Sequence, residues 1–290
     1  MYDYATLRPK PVADIAVQAR SAERLGFDSV WVMDHLLIQR GDRRLHAHDP
    51  LLCLAHVAAM TSRIQLGSMV LCHGFRHAGQ LAREASALAD LSAGRFILGL
   101  GAGWHRPEFD ALGLPFDHKV ARLEEAVEPL RRLLAGDVVS TAGDWLTLAG
   151  ASVAVTSPPP PIWIAAEGPR MLALAARVDG WNHSNWGAGE TGPFRDAVAR
   201  FDRALDSAGR SRDEVEVSAC ITCAPGGWRE APGAFREKEV ATGPLDELAG
   251  IIAAYASAGA QHVILSLSPD PYAELDPDRL EQAAPLLRMI

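Results

Sequence analysis

Asp34 and His35 stand side by side directly after the apolar run 28–33. A carboxylate next to an imidazole can hold, orient and move a proton near neutral pH. A histidine there also reads as a plain structural residue, and both readings stand on sequence alone. Gly99-Leu100-Gly101-Ala102-Gly103-Trp104 is the second candidate. A dinucleotide fingerprint would need a third glycine at 104, where Trp104 sits. The glycines can instead let backbone approach a flat ring closely, or make a tight turn. In Ala166-Glu167-Gly168-Pro169-Arg170, Gly168 suits a helix cap and Pro169 a first helical turn. The unpaired amides of such a turn, with Arg170 beside them, could cradle a phosphate. Glu167 counts against an anion, and a plain helix start is the alternative.

Two further clusters lose their chemistry once placed on elements. His46-Ala47-His48-Asp49 suggests a metal hydrolase, but Asp49-Pro50 reads as an N-cap and first-turn proline. That leaves the histidines on a loop with no completing ligands, so no metal is expected. Cys220 and Cys223 lie in an apolar, strand-like run, where residues three apart point to opposite faces. No second pair completes a zinc site, and buried strand cysteines are expected.

The elements that must position these residues follow one repeated pattern. An apolar-faced helix ends in glycine, and a β-branched run follows, at Gly26, Gly94 and Gly259. Glycine takes the left-handed conformation cheaply and reverses the chain. Repeated units of this kind, with continuously apolar strands, predict a parallel sheet covered by helices. Strands are expected at 28–33, 63–71, 95–101, 161–166, 179–183, 215–222 and 262–267. Helices are expected near 11–25, 50–61, 76–92, 119–135, 169–177, 191–208, 244–258 and 276–288. In 119–135, Val120, Leu123, Ala126, Val127, Leu130, Leu133 and Leu134 form one stripe. Glu124, Glu125, Glu128 and Arg132 should face water, and Pro129 should kink the helix. Seven strands and eight helices point to a (β/α)8 TIM barrel over 1–290, a single domain. Its first strand is missing or replaced, because only residues 1–10 precede the first helix. An open doubly wound sheet is the rival, and it lacks its glycine-rich phosphate loop. In such barrels, active sites gather at the C-terminal strand ends, where the candidates above all fall.

With 28 Lys and Arg against 36 Asp and Glu, the 290 residues carry a formal charge of −8. That balance argues against nucleic acid or an anionic membrane as partner. The apolar stretch 51–60 is too short to span a bilayer and contains His56. The opening Met-Tyr-Asp-Tyr is no signal peptide, so a cytoplasmic protein is expected. Four cysteines in so long a chain suit reduced thiols.

The run Ala22-Glu23-Arg24-Leu25-Gly26-Phe27-Asp28-Ser29-Val30-Trp31-Val32-Met33-Asp34-His35 resembles the early signature of luciferase-like monooxygenases. Thr61 to Gly67 is similar to their third-strand entry, and Leu91 to Trp104 to their most specific run. Pro161-Ile162-Trp163-Ile164, Gly168-Pro169-Arg170 and Asp179-Gly180-Trp181-Asn182 complete the set. The flavour resembles the branch that uses coenzyme F420, a deazaflavin, for hydride transfer. The resemblance implies that Asp34 and His35 meet the ring, with His35 stabilising ring or substrate. It implies a bulge with a non-proline cis peptide at Met69–Val70 backing the ring. Cys72, Ala102 and Gly103 match ring or tail contacts, with Ala166, Glu167, Gly168, Pro169, Arg170 and Trp181 completing the cofactor set. Trp104 stands where the sugar-phosphate dehydrogenases of this branch carry an acidic proton donor, which argues against such a substrate. His77-Ala78-Gly79 replaces the usual Asn-Pro before the third helix. A small-molecule substrate and a homodimer are expected. The rivals are an FMN-dependent two-component monooxygenase and a non-catalytic flavin-binding or scaffold protein.

Overall fold

The computed structural model describes residues 2–3, 8–9, 11–40, 43–183, 191–225, 227, 240–267 and 277–290. The first part of the chain forms β1 (Tyr2–Asp3), β2 (Arg8–Pro9), α1 (Val12–Leu25), β3 (Ser29–Val32), β4 (Ile38–Arg40), β5 (Arg43–Leu45) and α2 (Pro50–Met60). There follow β6 (Gln65–Ser68), β7 (Leu71–Cys72), α3 (Ala78–Leu91), β8 (Phe96–Gly101), α4 (Arg106–Leu112) and α5 (Lys119–Leu134). Then come β9 (Val139–Ala142), β10 (Thr147–Ala151), β11 (Ile162–Ala165), α6 (Pro169–Ala175), β12 (Gly180–His183) and α7 (Thr191–Ala208). The last are β13 (Glu216–Pro225), β14 (Ala241–Gly243), α8 (Leu245–Ser257), β15 (His262–Ser266) and α9 (Pro277–Ala283). The chain divides into two compact units: Asp28–Ile164, and Met1–Phe27 together with Ala165–Ile290.

In the unit 28–164, β3, β6, β8 and β11 run parallel in that order. Val30 stands opposite Leu66, Leu66 opposite Phe96, and Leu98 opposite Ile162. Gly67 faces Ile97 while Leu71 faces Leu100, so four steps along β6–β7 match three along β8. That extra residue is a bulge, and within it the Met69–Val70 peptide is cis. Ser68 explains why Gly99 lies opposite. Its Oγ donates to the Gly99 carbonyl at 2.9 Å and accepts from the Gly99 amide at 3.0 Å. A Cβ on Gly99 would overlap the Ser68 carbonyl oxygen.

The helices of this unit follow from their patterning. Asp49 caps α2 by accepting from the Leu52 amide at 3.0 Å, with Pro50 in the first turn, as expected. The α5 stripe Leu123, Ala126, Val127, Leu130, Leu133 and Leu134 is buried, and the helix continues through Pro129. Glu125, expected to face water, instead accepts from the amides of Trp145 at 3.0 Å and Leu146 at 2.7 Å. It thereby ties α5 to the antiparallel β9–β10 hairpin, which the pattern did not predict. Arg95 closes the turn between α2 and β6 through the carbonyls of Ala58, Thr61 and Ile64.

In the other unit, β12, β13 and β15 run parallel, with Asn182 opposite Ser218 and Cys220 opposite Ile264. β14 adds to the far end of β13, where Cys223 faces Ala241. Cys220 and Cys223 are buried, unbridged thiols of one strand. Phe194 and Phe201 of α7 and Tyr255 of α8 fill the layer between helices and sheet. Gly26 and Gly259 take φ of 97° and 113°, the left-handed helix ends that the repeated pattern requires. Ahead of α1, the described residues form only the antiparallel pair β1–β2. The last helix is shorter than expected: α9 gives way to a 3-10 turn over Ala284–Arg288 at Pro285. Among the described residues, no helix is long and apolar enough to cross a membrane.

Candidate active site

In the unit 28–164, three strand ends bring most of the expected residues together. Asp34, just past β3, is buried and accepts from the Cys72 amide at 2.9 Å. Both terminal nitrogens of Arg76 also donate to it, and one of them reaches Asp49 at 2.9 Å. Burial raises the Asp34 carboxyl above its ordinary value, while Arg76 and the Cys72 amide pull it down. Asp34 is therefore an internal tie between β3, β7 and α2, with its oxygens spent on protein donors.

His35 lies in contact with a residue that sequence reasoning missed. Its Nδ1 stands 3.1 Å from both oxygens of Glu108, in the first turn of α4. The Glu108 side chain is 2% exposed, and its Oε1 also accepts from the amides of Leu36 at 2.7 Å and Leu37 at 3.1 Å. The only local signal is Arg106-Pro107-Glu108, a proline and an acid in a first helical turn. Nothing in it points to His35. Trp104 is 63% exposed and meets the His35 ring edge-on, with centroids 5.8 Å apart.

Cys72 and Gly103 meet beneath this pair. Gly103 has φ of 83°, and a Cβ there would lie 2.5 Å from Cys72 Sγ and 2.9 Å from the Phe109 ring. Its carbonyl accepts from Lys119 Nζ at 2.6 Å. Burial pushes the Cys72 thiol up to about 12, so it is a neutral, inert group. Ala102 is half-buried next to Gly103. His77-Ala78-Gly79 starts α3 with a histidine cap, since His77 Nδ1 accepts from the Gly79 amide at 3.2 Å.

The other unit holds the remaining expected residues. Ala166 is buried, whereas Glu167, Gly168, Pro169 and Arg170 are exposed. Gly168 caps α6 with extended backbone and has no side chain of its own to accept from the first turn, and that turn contains no acid. The first-turn amides have no intrahelical acceptor. Trp181, expected among the cofactor contacts, is fully enclosed, its ring 4.5 Å from that of Phe201. Its Nε1 donates to the Ala166 carbonyl at 2.8 Å, so it supports the 166–168 backbone from behind. Strand alternation explains this: Trp181 and His183 face the helices, while Asn182 faces the other way and donates to Ser218 at 2.9 Å. Ser184, Asn185 and Trp186 lie outside the described residues.

The structure is similar to that of an F420-dependent secondary alcohol dehydrogenase bound to an F420–acetone adduct. The TM-score is 0.81 at 19% identity, over 97% of this chain and 95% of that one. It is also similar to coenzyme F420-dependent tetrahydromethanopterin reductase from Methanopyrus kandleri, with a TM-score of 0.77 at 22% identity over 95% and 94%. These likenesses establish an α/β fold of the luciferase-like barrel type. In sequence, the chain is 34% identical over 209 residues to 5,10-methylenetetrahydromethanopterin reductase of Methanolobus tindarius, covering 72% of this chain. It is 34% identical over 215 residues to F420-dependent glucose-6-phosphate dehydrogenase of Kineococcus radiotolerans, again covering 72% of this chain. The matches span 60% and 62% of the length of those two relatives. Residues 2–231 match the luciferase-like monooxygenase family.

Proposed function

The chain belongs to the luciferase-like monooxygenase family, and from that premise we propose that it is an oxidoreductase using coenzyme F420. It passes a hydride between the coenzyme and a small organic substrate. The observation that carries this reading is His35, held by Glu108 beside the exposed Trp104. The names of the relatives agree, since they describe F420-dependent dehydrogenases and a methylenetetrahydromethanopterin reductase. A single domain over 1–290 belongs to the same proposal, with the family match covering residues 2–231.

The residues present fit such a coenzyme. In the unit 28–164, Ala102 and Gly103 offer backbone with little side chain to a flat ring; in the other unit, taken by itself, the start of α6 has the character of a phosphate site. When bound, the deazaflavin ring supplies a carbon that accepts or gives a hydride. His35 presents an imidazole to the reacting atoms. Trp104 offers a flat apolar wall in place of an acid, which disfavours a sugar phosphate as substrate. Asp34 and Trp181 act behind the contact residues, as ties rather than reacting groups. Ala166, Glu167, Gly168 and Arg170 would hold a phosphate chiefly through backbone amides, with Pro169 fixing the first helical turn. A homodimer in the cytoplasm belongs to the same proposal, and size-exclusion chromatography tests the dimer.

Titrating the purified chain with F420 and with FMN, followed by fluorescence, tests the reading. Tighter binding of F420, with reduction of the coenzyme by an alcohol or its analogue, is expected. Preference for FMN with oxygen uptake would favour a two-component monooxygenase. Binding of neither would leave a scaffold protein.

A further inference from the structure

Basic side chains gather in the unit 28–164 where three elements come together: the short turn His73–Phe75, the start of α3 and the first turns of α5. His73 Nδ1 is enclosed and has no hydrogen-bond partner. Burial above all, with His77 and Arg122 close enough to act on its charge, keeps the His73 ring neutral. His77 Nδ1 accepts from the Gly79 amide at 3.2 Å, so its neutral ring carries the proton on Nε2 and donates from there. Arg122 lies over the Trp145 ring, 4.2 Å from its centroid, and His118 stacks on the same ring at 4.8 Å. Among the described residues, the one acceptor that Arg122 meets is the Asp117 carbonyl, 3.3 Å from Nε.

The acids nearby are engaged elsewhere. Asp117 turns its carboxylate to Arg106 at 3.5 Å, and Glu125 spends its oxygens on the amides of Trp145 and Leu146. Enclosing a polar group without a partner costs free energy, and a guanidinium out of bulk water also calls for a counter-charge. A group that only accepts, and carries negative charge, suits all three side chains at once.

We propose that His73, His77 and Arg122 form an oxyanion site that takes a phosphate, sulfate or carboxylate group. Arg122 supplies the charge and paired N–H donors. His77 donates from Nε2, and His73 donates from Nδ1 in the tautomer that the anion selects. The site goes beyond the hydride chemistry proposed above and does not depend on it.

Sulfate is the probe, because it stays a dianion across the neutral range, and Trp145 is the reporter. Titrating the purified chain with sulfate, against chloride at equal ionic strength, should change the tryptophan fluorescence saturably, with W145F identifying the signal. Calorimetry gives the affinity without the reporter. R122Q should bind sulfate at least about tenfold more weakly, the scale of one charge-assisted hydrogen bond. H77N keeps an acceptor to cap α3 but removes the Nε2 donor, and should also weaken binding. R131Q removes a cation of the same helix that is already paired with Glu128 at 3.2 Å, and should bind like wild type. Circular dichroism confirms that the variants are folded. Sulfate that does no more than chloride overturns the proposal, and so do R122Q and H77N proteins that bind it as tightly as wild type. Repeating the titration with coenzyme F420 present separates the sources of the anion. Competition assigns it to the coenzyme, and undiminished sulfate binding assigns it to a free or substrate-borne anion; the site stands in both cases. A chain that binds no coenzyme loses the oxidoreductase reading, while the sulfate titration still decides this one.

Discussion

At the residue scale, the candidate site rests on side chains held by partners far away in sequence. His35 meets Glu108 across 73 positions, and Asp34 meets Arg76 across 42. Charged groups survive burial only when paired and hydrogen-bonded, and both carboxylates satisfy that condition. His35 is the one residue of this set whose ring lies against an exposed aromatic surface. His35→Ala should therefore slow hydride transfer by more than about tenfold while the fold stays intact, because a positioned acid or base contributes at least that much. Stopped-flow absorbance of the coenzyme together with circular dichroism measures both. Unchanged turnover would make His35 structural.

At the scale of elements, the strand-end loops decide what can approach the site. Gly103 and Gly94 make a controlled pair, since both take left-handed backbone, with φ of 83° and 79°. Around Gly94 there is open space, whereas a Cβ on Gly103 would press on Cys72 Sγ and Phe109. Gly94→Ala should cost only the conformational penalty of about 1 kcal/mol. Gly103→Ala adds overpacking of about 1–3 kcal/mol and should also weaken coenzyme binding. Urea denaturation of the two variants compares the costs, and equal losses would contradict the packing account. The start of α6 carries the other element-scale prediction. Arg170→Glu should weaken coenzyme binding by about 1–3 kcal/mol, the scale of a lost charge-assisted hydrogen bond. The remaining affinity should also depend less on salt. Equal affinity in both proteins would place the phosphate elsewhere.

At the scale of the whole molecule, two histidines link stability to pH, one in each unit: His73, half-buried, and His183, buried. Burial pushes His73 and His183 down to about 4, while in the unfolded chain both titrate near 6.5. Their folded values lie below the unfolded ones, so protons bind the unfolded state first as pH falls. The stability they support is complete above about pH 6.5 and lost between there and about pH 4. Each contributes roughly 3 kcal/mol at full extent. Asp34 works in the opposite sense, since its raised carboxyl takes up a proton more readily when folded. Urea midpoints measured from pH 7.5 to 4.5 should fall steadily, and His183→Gln should flatten the slope by about one proton. A flat profile in the wild type would contradict the depressed values of both rings.

Local patterning was enough to reveal the longer helices and the main parallel strands, but not α4, β14 or the β4–β5 and β9–β10 hairpins. The helix–glycine–strand repeat located Gly26, Gly94 and Gly259, and Asp49-Pro50 located the start of α2, because those rules depend on neighbours in the chain. The resemblance placed the cis peptide at Met69–Val70, where the structure has it. The β9–β10 hairpin was missed because its strands are short and half-exposed, although Gly143-Asp144 is a turn signal. Tertiary structure alone decided which side chains share the site. A glutamate in a first helical turn looks like any other until the fold brings β3 and α4 together and buries its carboxylate on His35. The same holds for Trp181, whose alternation along β12 turns it toward the helices. Periodicity reports which face of an element is apolar. It is silent on which groups from distant elements meet, because that is settled only when the elements pack.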